Sequence, residues 1–179
     1  MPQSEESNKI LIKGCLAQNQ KSQKTLFDTF APTMYAICYR YAGNSDQAKD
    51  LLQDGFIKVF TKLGEFKFEG SFEGWMKRIF INNALEYLRK ENRQPDMINV
   101  DDAHNISAEV SSFTNIDTRQ ILSLIQKLPT GYRTVVNLYI IEGYSHKEIA
   151  EMLGITESTS KTQLFKARLM LQKMLKDNF

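Results

Sequence analysis

The stretch Tyr144–Leu171, YSHKEIAEMLGITESTSKTQLFKARLML, reads as two helices separated by one glycine. Ser145 stands three residues before Glu148, a spacing at which each side chain satisfies a backbone N–H of the first turn, so a short helix starts at about His146 and runs to Leu153. Gly154 supplies the left-handed backbone needed to leave it, and Ile155 plugs the corner. A second helix then starts near Glu157, capped by Thr156 or Ser158, and runs to about Leu175. Two helices crossing at close range need a small residue at the crossing, and Ala150 meets that need. Leu164, Ala167, Leu171 and Met174 mark the inward stripe of the second helix, which continues upward onto Ser160. Its other side carries Ser158, Lys161, Thr162, Phe165 and Lys166, a mixture of hydroxyl, cationic and apolar groups suited to phosphates, base edges and thymine methyls. The pattern is that of a helix-turn-helix; the bland alternative is an αα-hairpin with a solvated basic face.

Working outward, the spacing of apolar residues is helical nearly everywhere, and no run alternates as a half-buried strand would. The expected fold class is all-α. Upstream of the opening stretch, Ile121, Leu124, Ile125 and Leu128 make a short amphipathic helix ending before Pro129, and Gly131 to Glu142 a second one closed by Gly143. Residues 94–115 lose all periodicity and are polar and acidic, as a flexible linker would be. Before them, residues 8–19 and 23–42 read as helices, the second punctuated by Pro32. In GNSDQAKDLLQDGFIKVFTKL, Asn44 or Ser45 caps a helix with a buried stripe of Ala48, Leu52, Phe56, Val59 and Leu63; Asp50, Gln53, Asp54 and Lys58 take the opposite face. The segment GEFKFEGSFEGWMKRIFINNALEYLRKENR opens as a loop and becomes a helix from about Glu73 to about Asn92. Trp75, Ile79, Asn83 and Tyr87 share one of its sides, and Arg78, Asn82 and Arg89 another, with Lys77 beside them. Expected domains are therefore 1–92 and 116–179, joined by 93–115.

Charge supports the division. Residues 1–92 hold 13 Lys/Arg against 11 Asp/Glu, residues 93–117 hold 1 against 5, and residues 118–179 hold 9 against 5, so two mildly basic blocks flank an acidic one. Cys15 and Cys38 stand alone, which suggests neither a disulfide framework nor a zinc site, and no cofactor is expected. A polar start and the lack of a long apolar run argue against secretion and membrane insertion and for a cytoplasmic protein. An enzyme would have to rest on Asp101, Asp102 and His104 as a metal cluster, within a segment that offers them no supporting structure.

The order DLLQDGFIKVFTKL, FEGWMKRIFINNALEYLRK, an acidic linker and LPTGYRTVVNLYIIEGYSHKEIAEMLGITESTSKTQLFKAR resembles the extracytoplasmic-function sigma factors, the two-domain minimal class of the sigma-70 family, over about residues 8–175. The resemblance implies a promoter-recognition subunit of bacterial RNA polymerase, monomeric when free, with core polymerase (beta and beta-prime subunits), promoter DNA and an anti-sigma factor as partners. It places Asp50, Gln53 and Asp54 on the polymerase-docking helix. It assigns Lys67, Phe68, Glu69, Ser71, Lys77, Arg78, Asn82, Arg89 and Lys90 to the minus-ten element, with Phe72 and Trp75 as core. The minus-thirty-five element falls to Ser158, Lys161, Thr162, Phe165 and Lys166, with His146 and Lys147 approaching phosphate and Arg168 on backbone or in an intramolecular pair. The linker acids Asp96, Asp101, Asp102 and Glu109 would imitate nucleic acid in a basic channel, or serve as a tether. Departures from the family pattern are Glu86 for Asp, Ser160 for Val and Gln163 for a basic residue; a buried Ser160 hydroxyl must find a partner, and a backbone carbonyl is the expected one.

Overall fold

The computed structural model describes residues 5–91 and 118–178, and every described element is helical. The chain divides into two compact units, Met1–Arg93 and Gln94–Phe179. The acidic segment and its Asp96, Asp101, Asp102, His104 and Glu109 lie outside the described residues. Among those described, no cluster of three His, Cys, Asp or Glu side chains could hold a metal, and no helix is long and apolar enough to cross a membrane.

The first unit packs α1 (Glu5–Leu16), α2 (Gln20–Tyr41), α3 (Ser45–Lys62) and α4 (Phe72–Glu91). α1 begins three residues earlier than apolar spacing alone predicts, and so does α2, the latter because Asn19 caps it, its side chain accepting from Ser22 N at 3.0 Å. Pro32 lies inside α2, which continues past it. Asn44, not Ser45, caps α3, accepting from Gln47 N at 2.9 Å. The buried stripe of α3 is Ala48, Leu51, Gly55, Phe56 and Val59, whereas Leu52 is only half-buried. The register shifts because α3 lies against α4 at Gly55, where a Cβ would stand 2.1 Å from Phe80 Cε1.

On α4 the buried residues are Phe72, Met76, Phe80, Ile81, Asn83, Ala84, Leu85 and Leu88, and Trp75, Ile79 and Tyr87 of the expected side are half-buried. Trp75 therefore borders the core instead of anchoring its centre, stacked on Phe72 with ring centroids 5.7 Å apart. Asn83 is buried and satisfied, donating to Leu51 O at 3.2 Å. At the end of α4, Tyr87 donates to Glu91 Oε1 (2.5 Å); Gln47 donates to the same oxygen (3.3 Å), while its own Oε1 accepts from Gly43 N. Burial first, then the Glu91 hydrogen bond, raises the Tyr87 phenol to about 12.

The second unit comprises α5 (Thr118–Gln126), α6 (Thr130–Val136), α7 (His146–Leu153) and α8 (Glu157–Asn178). Leu124, Ile125 and Leu128 are buried as expected, but Ile121 is exposed. The expected second helix is shorter as an α-helix: after Val136 the backbone widens into a π-helical turn, Asn137–Ile141, before Gly143 leaves it at φ +80°. That turn buries Leu138 and turns Tyr139 and Ile140 outward.

Candidate nucleic-acid interface

In the first unit a loop bridges α3 and α4 after a 3-10 turn, Leu63–Glu65. Phe66 is its buried peg, packed on Phe72 at 5.2 Å and on Trp75 at 5.4 Å, and Phe72 meets Phe30 edge-on at 5.6 Å. Phe72 is thus core, as the sequence implies. Phe68 is exposed, its ring resting on Phe66 at 5.2 Å, and it takes a left-handed backbone at φ +60°; Gly70 follows at +81°. A phenylalanine has no intrinsic reason to adopt that conformation, so the surrounding contacts impose it. Ser71 accepts from Gly74 N at 3.2 Å, serving the start of α4. Phe66, Phe68, Gly70 and Ser71 line a recess of about 190 Å³ together with Asn8 and Lys9 of α1. Lys67 and Glu69 are exposed on the same loop but do not line the recess.

On α4, Arg78, Asn82, Arg89 and Lys90 are exposed, while Lys77 pairs with Glu73 at 2.8 Å. Glu86 sits among these cations and is tied to Lys58 at 2.5 Å, a hydrogen bond that holds its carboxyl below the usual carboxylate range. Lys58 is therefore drawn toward α4 and leaves the acidic face of α3. That face presents Asp50, Gln53 and Asp54, all exposed, with Ile57 63 % exposed one turn further on. An exposed apolar side chain next to polar and acidic ones suits a contact surface on which the apolar group loses water.

In the second unit the sequence-predicted motif forms in detail. Ser145 N donates to Glu148 Oε2 (2.8 Å) and Glu148 N to Ser145 Oγ (3.3 Å), Gly154 exits at φ +68°, and Ala150 is buried at the crossing. Thr156 caps α8, accepting from Thr159 N at 3.0 Å. Ser158, Lys161, Thr162, Phe165 and Arg168 are exposed and Lys166 is half-buried; Phe165 stands 62 % exposed in their midst, and Lys161 lies 3.7 Å from Glu157. Lys147 is exposed at the start of α7.

Three placements depart from the sequence reading. His146 turns back onto the unit, stacked on Tyr139 at 4.4 Å with Nδ1 2.9 Å from Ser160 Oγ. The partner of the buried Ser160 hydroxyl is therefore this imidazole, supplied by the neighbouring helix. Burial first, and then the nearby Lys161 charge, lowers the His146 pKa. Gln163, noted above as a departure from the family's usual basic residue, is half-buried with its amide against the first turn of α6, 3.5 Å from where a Gly131 Cβ would lie, so it supports packing. Sequence reasoning also missed Asn8 and Lys9: α1 and the loop lie about sixty residues apart, and no local pattern joins them.

Comparisons with known proteins match these two units separately. Residues 26–94 match the Sigma-70 region 2 model and residues 118–171 the Sigma-70, region 4 model. The ECF RNA polymerase sigma factor SigW of Bacillus subtilis is 29 % identical over 193 residues, covering 94 % of this chain and 98 % of the relative. The ECF RNA polymerase sigma factor SigE of Mycolicibacterium smegmatis is 32 % identical over 150 residues, covering 81 % of this chain and 58 % of the relative. Among solved structures, the sigma factor RpoE of Bartonella quintana, in complex with the anti-sigma factor NepR, shares the fold at TM-score 0.54 and 22 % identity, covering 87 % of this chain and 98 % of that one. With both regions present in order and the curated relatives matched across most of this chain, the protein belongs to the sigma-70 family, in its extracytoplasmic-function class.

Proposed function

We propose that this chain is a promoter-recognition subunit that docks on core RNA polymerase in the cytoplasm, directs it to a subset of promoters and assists duplex opening, with no catalytic chemistry of its own. The observation that carries the reading is the presence, in one chain of 179 residues, of region 2 and region 4 in order, each with an exposed polar surface. Asp50, Gln53, Asp54 and Ile57 of α3 dock on the polymerase, the acids steering toward a basic partner and Ile57 losing water on contact. The Phe68 loop takes an unstacked base of the minus-ten strand into the recess while Arg78, Asn82, Arg89 and Lys90 hold the adjacent backbone. α8 enters the major groove of the minus-thirty-five element, Lys161, Lys166 and Arg168 meeting phosphates or base edges and Thr162 and Phe165 the groove floor. An anti-sigma partner fits the same reading: the Bartonella relative is solved with one, and in this chain Ile121, Leu122, Tyr139, Ile140 and Ile141 leave apolar surface for a partner to cover.

The test is reconstitution. The purified chain is expected to co-elute with core polymerase and to drive transcription from a subset of a randomised promoter library, while binding duplex DNA weakly alone. Tight, specific duplex binding without polymerase, together with failure to co-elute, would refute the reading in favour of a free-standing regulator.

A further inference from the structure

The recess beside Phe68 has a wall that the region 2 match does not include. That match begins at residue 26, whereas Asn8 and Lys9 belong to α1. Asn8 is half-buried and its Oδ1 is shielded from water with no hydrogen-bond partner among the described residues. A shielded amide oxygen without a partner is costly, and the loss is recovered when the amide turns to a donor arriving in the recess. The lining also offers aromatic surface from Phe66 and Phe68, and at Gly70 a Cβ would meet nothing within 4 Å, so the recess is open there. Lys9 is exposed beside Asn8 and lines the same recess. A planar heteroaromatic ring has the faces to stack on phenylalanine and the edge groups to meet an amide, and the phosphate joined to it would fall near a cation.

Resting on the proposed promoter-opening role, we propose that α1 completes the minus-ten site: Asn8 selects the unstacked base by its edge, and Lys9 holds the neighbouring phosphate without regard to sequence. An asparagine amide presents a donor and an acceptor side by side, so it discriminates among bases by which edge groups they carry, whereas an ammonium does not.

The experiment uses holoenzyme assembled with the full chain and fork-junction DNA whose single-stranded minus-ten segment carries each of the four bases at each position. Wild type is expected to show one position with about tenfold or greater preference. Asn8→Ala should flatten that position, and Asn8→Asp, an acceptor-only isostere, should move the preference toward bases bearing an exocyclic amino group. Lys9→Ala should weaken all sequences alike and reduce the salt dependence of binding by about one phosphate contact. If both Asn8 variants keep the wild-type base profile while the holoenzyme still opens promoters, the assignment to α1 is wrong and the broader reading stands. If wild-type holoenzyme shows no single-strand preference at any position, the minus-ten role of the recess itself fails.

Discussion

Replacing Gly55 with alanine sets two effects of opposite sign against each other in the middle of α3. Alanine in a helix interior is favoured over glycine by about 1 kcal/mol. Here the new methyl would stand 2.1, 2.5 and 2.7 Å from three ring carbons of Phe80, a side chain with no solvent exposure. That ring cannot swing away readily, since it is held edge-on against Phe56 at 5.3 Å. Overpacking a filled core costs about 1–3 kcal/mol, and with three sub-contact distances at once the upper end applies. The net is a destabilisation of about 2 kcal/mol, and at about 4–8 °C per kcal/mol for a unit of this size the midpoint should fall by ~10 °C. The single tryptophan, Trp75, lies in this unit against Phe66 and Phe72, so its emission follows the transition in the intact chain. Gly74→Ala is the matched control: its Cβ would meet Ser71 at an ordinary 3.5 Å, and the substitution should raise the midpoint slightly. A Gly55→Ala midpoint equal to or above that of the parent would refute the close approach of α3 to α4, and partial rescue by Phe80→Leu would locate it.

Other consequences are open to measurement. Ser145→Ala or Glu148→Ala removes half of the reciprocal cap on α7 and should cost about 1 kcal/mol, read as faster amide exchange in the first turn of that helix. His146 has a folded pKa below its ordinary value of 6.5, through burial and then Lys161, with Arg168 acting alike and Glu157 opposing. At pH 8 both states hold the ring neutral; below 6.5 the unfolded chain takes the proton first, so stability of the second unit falls with pH until the folded value is passed. Thermal melts between about pH 8 and 5.5 should show that slope, and His146→Gln should flatten it. Charge reversal at Lys161 and Lys166 together should lower transcription from minus-thirty-five-dependent promoters about tenfold or more and leave polymerase binding unchanged; equal loss of polymerase binding would contradict the assignment of separate surfaces.

The parts of the molecule legible in its sequence are those in which the physics is local. Ser145 and Glu148 interact across three residues, Gly154 answers a backbone requirement at its own position, and Ala150 lies four residues before it, so the helix-turn-helix follows from spacing alone. Face assignment was less secure on α4, where Ile79, Phe80 and Ile81 are consecutive apolar residues and periodicity cannot choose among them. Phe80 and Ile81 are both buried and Ile79 is not: Gly55 on another helix admits the Phe80 ring, which leaves Trp75 and Ile79 at the border. Leu51 and Leu52 exchange places for the same reason. The inward turn of His146 depends on Tyr139 being thrown out by a π-helical turn, which no residue type announces. Asn8 lacked any signal, because its neighbours in the recess are distant in the chain and polar or aromatic for separate reasons.

The left-handed backbone at Phe68 bears on timing. Holding phenylalanine there costs on the order of 1–3 kcal/mol, which the rest of the first unit supplies when it folds. The ring is then already on display before any nucleic acid arrives, like a hook set in place ahead of the line. On the proposed minus-ten role, a base that leaves its stack for an instant would meet a finished platform and capture would not wait for the loop to rearrange, so sequences that breathe more often should be opened faster with little change in how firmly they are held afterwards.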